Sequence, residues 1–329
     1  MRWYYFCNPM AETQNSTNAS ECPYCKSGGA FEMAQCTDHM VSGERFRLYR
    51  CPDCSLVYTV LNNSGVEPGT YDKVQYRITL GDKPRGLLRR LYHVARSIML
   101  RRKLKLITRI TGRKGGRLLN YGAAIGYFSS IMEDHNWKVV SIERSHEERQ
   151  FSLEMFHHRM MDEDAMNKLR KGTFDVVTLW HVLGNRKNIT ELIDRLYDLL
   201  TPNGILFVAA PNSASLDAAH YADEWAGWDV PRHIWHMNPS LIQKVAKEHG
   251  FVMMHRERLP FDVFYICILS ERNLHHIFPI TRGLMRGLYY HLKSIGHVDR
   301  SSSLVYVFRK IERPRKRRRS ASASAKTEV

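Results

Sequence analysis

Along residues 117–210, short apolar runs alternate with segments whose apolar positions recur every three or four residues. The runs at 118–121, 138–142, 174–180 and 204–210 are strand-sized, and the segments at 127–135, 146–156 and 189–200 carry helical spacing. Strands separated by helices pair in parallel, because a parallel neighbour needs a crossover long enough to hold a helix. The pattern predicts an α/β fold on a doubly wound sheet. After a helix at 239–249 the order changes. Apolar runs at 261–270 and 303–310 flank a basic helical stretch near 284–292 and are expected to pair as an antiparallel edge.

Upstream, from residue 84 to about 110, Leu87, Leu88, Leu91, Val94, Ile98, Leu104 and Ile107 recur at helical steps with Arg and Lys between them. One face of this expected helix packs and the other is basic. Such a face attracts anionic substrates, lipid headgroups or RNA, or is simply solvated. With Tyr92 as the one interleaved aromatic, base stacking has little support and the solvated face is preferred. Residues 61–83, with Asn62, Asn63, Gly65, Pro68, Gly69 and Gly81, read as a connector.

Cys22-Pro23-Tyr24-Cys25 and Cys51-Pro52-Asp53-Cys54 are paired CxxC knuckles 25 residues apart. Two knuckles supply four thiolates, a tetrahedral set that suits Zn²⁺. Disulfides are disfavoured in a cytosolic chain, and neither pair sits near a βαβ unit as a redox CxxC would. Four cysteines leave no open coordination position, so the expected zinc is structural. Cys7, Cys36 and Cys267 read as buried or incidental thiols.

The chain has 329 residues, 43% hydrophobic, and a formal net charge of +16. That charge is regional. Residues 85–117 hold twelve Lys/Arg and no acid, and 309–319 hold eight against Glu312, leaving −3 for the rest. No run approaches the roughly 18–20 apolar residues of a membrane span. The start is too short for a secretory signal, so the expected location is cytoplasmic, and Met10 is an alternative start.

The densest chemical signal is Leu118 to Phe128, an apolar strand running through Gly122-Ala123-Ala124-Ile125-Gly126 into a helix. Glycines let backbone approach a ligand closely, although a tight βα connection alone would also use them. Glu143, 23 residues beyond Asn120, ends the next strand where a carboxylate can accept from ribose hydroxyls.

These features together resemble the class I S-adenosylmethionine-dependent methyltransferases, in particular the branch with an N-terminal CxxC…CxxC zinc module. The resemblance spans roughly residues 20–311 and rests on five motifs in order: the turn at 118–128, Glu143, the strand at 174–182, Leu200-Thr201-Pro202-Asn203-Gly204-Ile205-Leu206, and the segment from Asp229 to Met237. It implies a Rossmann-like sheet of seven strands, the last antiparallel, behind a small zinc ribbon. The implied division is a flexible leader (1–20), zinc ribbon (21–60), linker with basic helix (61–112), methyltransferase domain (113–312) and disordered basic tail (313–329).

The resemblance also implies the cofactors S-adenosylmethionine and structural Zn²⁺, the latter on Cys22, Cys25, Cys51 and Cys54. Asn120, Gly122, Ala124, Gly126, Tyr127, Phe128, Glu143, Trp180 and His181 would surround the cofactor, with Asp164 and Ala165 at its adenine. Four positions depart from the usual family pattern: Asn120 replaces an acid, Ala124 a glycine, and Gly184 and Asn185 the acid and histidine of many members. Asn120 would lose the charge that pairs with the cofactor's ammonium.

Methyl transfer from a sulfonium needs a positioned acceptor and, for a hydroxyl or carbon acid, a base. His233 and His181 are the candidates, with Arg232 to hold an anionic group and Trp225, Trp228 and Trp235 as cavity walls or core. The leading expectation is methylation of a small-molecule, saccharide-like or lipid-linked acceptor, at O or C rather than N. An RNA methyltransferase gripping phosphates through its basic segments and a noncatalytic binding protein are the alternatives. Nucleic acid is not the favoured partner, and peripheral contact with an anionic surface is compatible with the basic helix.

Overall fold

The computed structural model describes residues 21–61 and 87–313. The expected leader, nearly all of the connector, the tail beyond residue 313 and the side chains of Leu87, Leu88, Leu91 and Tyr92 lie outside the described residues. Three short strands, β1 (Phe31–Thr37), β2 (Arg45–Arg50) and β3 (Val57–Val60), form an antiparallel meander. Next come α1 (Leu87–Thr111), β4 (Gly116–Tyr121), α2 (Tyr127–Glu133), β5 (Trp137–Ile142), α3 (His146–Phe156) and β6 (Phe174–Trp180). They are followed by α4 (Ile189–Leu199), β7 (Leu200–Pro211), α5 (Leu216–Tyr221), β8 (Trp235–His236) and α6 (Pro239–Glu248). The described chain closes with β9 (Phe251–Arg258), α7 (Asp262–Asn273), α8 (Pro279–Lys293) and β10 (Ser303–Lys310).

The main sheet has the order β5-β4-β6-β7-β10-β9, parallel from β5 to β7, with β10 antiparallel to both its neighbours. Alternate residues face opposite ways. Leu119, Val177, Leu206, Val208 and Tyr306 pack against α4 and α6, whereas Leu118, Val176, Phe207, Val305 and Val307 pack against α1 and α2. Two-sided burial explains why these strands read as unbroken apolar runs. Each such side chain contributes about 1.5–3 kcal/mol.

Two expectations are corrected. Six strands, not seven, make the sheet among the described residues. Outside β5 the chain touches down only at the parallel bridge Ile142↔Met161, where Met161 exchanges backbone bonds with Ser141 and Glu143 before the acidic 162–164 segment turns away. The apolar run at 261–270 is helical, within α7, and the edge partner of β10 is instead β9. Its β-branched and aromatic residues suggest a strand, but Val263, Ile266, Cys267, Ser270 and Glu271 are the buried ones, and their spacing is that of a helix face.

The N-terminal meander is completed from far along the chain. β8 pairs with β3, with Val57 opposite His236 and Tyr58 opposite Trp235. Cys22, Cys51, Cys54 and Tyr58 share one apolar cluster with Trp235, Met237 and Leu241. The cysteine module is thereby anchored to the segment that follows β7.

Candidate functional site

The site lies beyond the carboxyl ends of β4, β5, β6 and β7, where β4 and β6 send their crossovers to opposite sides of the sheet. β4 stops at Tyr121 and the chain turns through Gly122 (φ 71°), Ala124 (φ 47°) and Gly126 (φ 92°) into α2. A Cβ on Gly122 would stand 2.3 Å from Val182 Cγ2, and one on Gly126 2.5 Å from Ser152 Oγ. Both glycines answer a positive φ and a close approach at once.

Glu143 holds this turn. Its Oε2 accepts from the Ala124 N–H at 2.8 Å, and its Oε1 from the Arg144 and Ser145 N–H groups at 2.7 and 3.0 Å. A carboxylate offers about four lone-pair positions, so acceptor capacity remains toward solvent. Asn120 does not face this space. It is 1% exposed, donates to Ser129 Oγ and accepts from Thr178 Oγ1, at the head of a chain that continues through Ser141 and His158 to Glu133. Its position suits a neutral amide bridging β4, α2 and β6.

The three acids after Met161 differ in their engagements. Asp162 accepts from the Ala165 N–H, Glu163 is held by Arg186 and the Tyr121 hydroxyl, and Asp164 is exposed. Tyr127 lies under the Arg96 guanidinium at 3.7 Å, and Phe128 meets Trp180 edge to face at 5.3 Å.

Past the carboxyl end of β6, with none of residues 120–128 and not Glu143 in its lining, opens a cleft of about 580 Å³. Its walls come from three places: Cys36 and His39 of the cysteine module, the 223–233 loop, and Asp262, Tyr265 and Arg272 of α7. His181, left-handed at φ 60° just after β6, points its Nε2 at Asp262 Oδ2, 3.2 Å away. Burial pushes the Asp262 carboxyl up, but the adjacent His181, and Lys103 further off, hold it below the usual carboxylate value. The Lys103 ammonium of α1 sits 4.2 Å over the Trp180 ring, and burial lowers it to about 8.

His233 also lines the cleft, 4.0 Å from Asp229, and burial pushes it below the ordinary histidine value despite that carboxylate. A Cβ on Gly184 would come within 3.2 Å of the His233 ring and 3.1 Å of Trp235 O. The bare glycine therefore makes room for His233.

The Arg232 guanidinium is engaged by Asp229 at 2.6 Å and by the fully buried Asp38 at 3.2 Å, so it ties the cysteine module to the cleft wall. Trp225 and Trp228 serve as both core and cleft wall, with the Trp225 indole donating to Asp217. Trp235 belongs to β8.

The four cysteine sulfurs of Cys22, Cys25, Cys51 and Cys54 lie within 4.8 Å of one another. The Cys22–Cys54 and Cys25–Cys51 separations are 3.6 and 3.5 Å, too long for disulfides and near the edge of about 3.8 Å set by a tetrahedron with ~2.3 Å metal–sulfur bonds. The knuckles match each other in backbone. Lys26 N–H donates to Cys22 O and Ser55 N–H to Cys51 O, with Lys26 and Ser55 both left-handed.

Asp262 of the cleft, and Lys103, which acts on it electrostatically, carry no signature of their own in the sequence. Lys103 was one of twelve cations in a run, and Asp262 stood in an apparent strand. The helical spacing of 263, 266, 267 and 270 was the available signal for Asp262.

A family model described as a methyltransferase domain matches residues 92–256, half of the chain. Among solved structures, phosphoethanolamine N-methyltransferase 2 of Haemonchus contortus in complex with S-adenosyl-L-methionine superposes at TM-score 0.50 and 18% identity, covering 78% of this chain and 64% of that one. A 1,6-didemethyltoxoflavin-N1-methyltransferase of Burkholderia thailandensis, bound to 1,6-didemethyltoxoflavin and S-adenosylhomocysteine, gives 0.45 and 13%, covering 80% and 99%. At 18% identity the first likeness speaks to fold alone. No curated protein matches. The chain belongs to the methyltransferase domain family and carries its class I, Rossmann-like fold.

Proposed function

We propose that this protein transfers a methyl group from S-adenosylmethionine to a small-molecule, saccharide-like or lipid-linked acceptor held in the cleft. The observation that carries the reading is the His181–Asp262 pair in a cleft of small-molecule size, with Val182, the residue after His181, packed against Gly122 of the glycine turn. When bound, the cofactor supplies an electrophilic methyl with a good leaving group. Glu143 would accept from its ribose hydroxyls, and the turn at 122–126 would let backbone approach its amino-acid end. Asp164 and Ala165 would border adenine.

The chain's own chemistry is positioning and proton removal. Asp262 fixes the His181 imidazole through Nε2, which leaves the ring's Nδ1 oriented as a general base requires. A hydroxyl or carbon acid uses such a base, which favours O- or C-methylation. His233, kept neutral by burial, lines the same cleft as a second acceptor of protons or hydrogen bonds. Structural Zn²⁺ on the four cysteines would brace the module that supplies one cleft wall.

The test is transfer of isotopically labelled methyl from S-adenosylmethionine to fractionated metabolites and lipids. His181→Gln should retain cofactor binding while lowering turnover by about 10²-fold or more. Undiminished transfer by that variant would remove His181 from the mechanism, and transfer to RNA alone would replace the acceptor class.

A further inference from the structure

The polarity of α8 is inverted. The face it turns toward the protein is Gly283, Gly287, Tyr290 and Ser294. A Cβ on Gly283 would lie 2.5 Å from Ile268 Cα and one on Gly287 2.9 Å from Phe264 Cα, so α7 and α8 meet backbone against backbone along a seam of small residues. The large apolar residues point outward. Leu284, Met285, Leu288 and Leu292 are between 47% and 61% exposed, and the turn before the helix presents Ile277 and Phe278 at 77% and 75%. A helix on a water-facing surface normally hides such residues, and a contiguous apolar patch of this kind marks a binding face.

Charge says what covers it. Residues 274–298 contain no acid, and Arg286 and Lys293 are exposed on α8 itself. α1 adds exposed Arg101, Arg102 and Lys105 alongside. Arg102 lies near enough that, after burial and Arg258, it helps hold His291 of α8 below the ordinary histidine value. An apolar face rimmed by cations on two helices repels a second copy of the same face and matches an anionic lipid surface.

We propose that α8 and the turn before it dock this protein in the plane of an anionic bilayer, with Ile277, Phe278, Leu284 and Leu288 inserted and the cations of α1 and α8 at the headgroups. At 15 residues α8 spans about 22 Å, short of the hydrocarbon thickness, and among the described residues no helix is long and apolar enough to cross a membrane. The helix therefore lies along the interface. Tyr265 and Arg272, on the partner helix α7, also line the cleft, so docking would bring the cleft beside the headgroups. The binding itself does not depend on methyl transfer.

Flotation of the full chain with vesicles of phosphatidylcholine, with and without phosphatidylglycerol, tests this directly. Binding is expected with phosphatidylglycerol, falling with added salt. It should drop about tenfold or more in both Leu284→Glu/Leu288→Glu and Arg286→Glu/Lys293→Glu. These positions are exposed, and circular dichroism checks that the variants fold. Absence of flotation at low salt, equal binding to neutral vesicles, or a stable dimer dissolved by Leu288→Glu would overturn the proposal. The last result would assign the face to a second copy.

Discussion

At single residues, one atom can decide whether the turn or the core holds. Gly122 combines a left-handed φ with a 2.3 Å approach to Val182, so Gly122→Ala should destabilise the fold by about 1–3 kcal/mol and loosen the turn. Adding Val182→Ala relieves the contact but not the φ, and thermal melts of the single and double variants should show a partial recovery. A full recovery would mean that the backbone tolerates alanine there. His236 and His233 give a pH signature. Burial holds both below the ordinary histidine value, His236 well below it, with its Nε2 2.8 Å from Thr59 Oγ1. The unfolded chain therefore takes up protons that the folded one refuses, and stability must fall as pH drops through about 6.5 toward the lower folded values. His236→Gln keeps a partner for Thr59 without that titration, so its melting temperature should decline less between neutral pH and 5. An unchanged slope would place the pH dependence elsewhere.

At the scale of elements, the parallel strands, their helices and the paired knuckles were legible because burial on both sheet faces and fixed ligand spacing write themselves into sequence. The α7 run was not, because β-branched residues favour a strand locally while burial at every third or fourth position favoured a helix globally, and packing won. The partnership of β3 with β8 was invisible for another reason. A two-residue strand nearly 180 positions away carries no periodicity of its own. The site followed the same division. The glycine turn, Glu143, His181 and His233 stood out by type and place, whereas Asp262, the occupied state of Arg232 and the inward turn of Asn120 depended on contacts between distant segments. Because the cysteine module shares its sheet with β8 and its Asp38 with Arg232, loss of metal should reach the cleft. Chelation, or Cys51→Ser, should lower the melting temperature and acceptor turnover while S-adenosylmethionine affinity stays within a few-fold. Titration of the chelated protein measures that split. An unaffected melting transition would mean that the four sulfurs do not depend on a metal.

At the scale of the whole molecule, the sheet fixes where its loops can meet, and the cleft assembles from the N-terminal module, the 223–233 loop and α7 around the end of β6. The charge of +16 does not spread over this body but gathers in segments such as α1, which pairs its buried face with the sheet and leaves its cations outward. Everything proposed for the cleft rests on one claim, that the turn at 122–126 and Glu143 hold S-adenosylmethionine. The most direct test is calorimetric titration of the purified protein with S-adenosylmethionine and S-adenosylhomocysteine, alongside Glu143→Ala. Saturable binding of both is expected. Loss of charge-assisted bonds worth about 1.5–3 kcal/mol should weaken the variant roughly 10- to 100-fold. Absence of binding by the folded protein, or equal affinity in the variant, would contradict it.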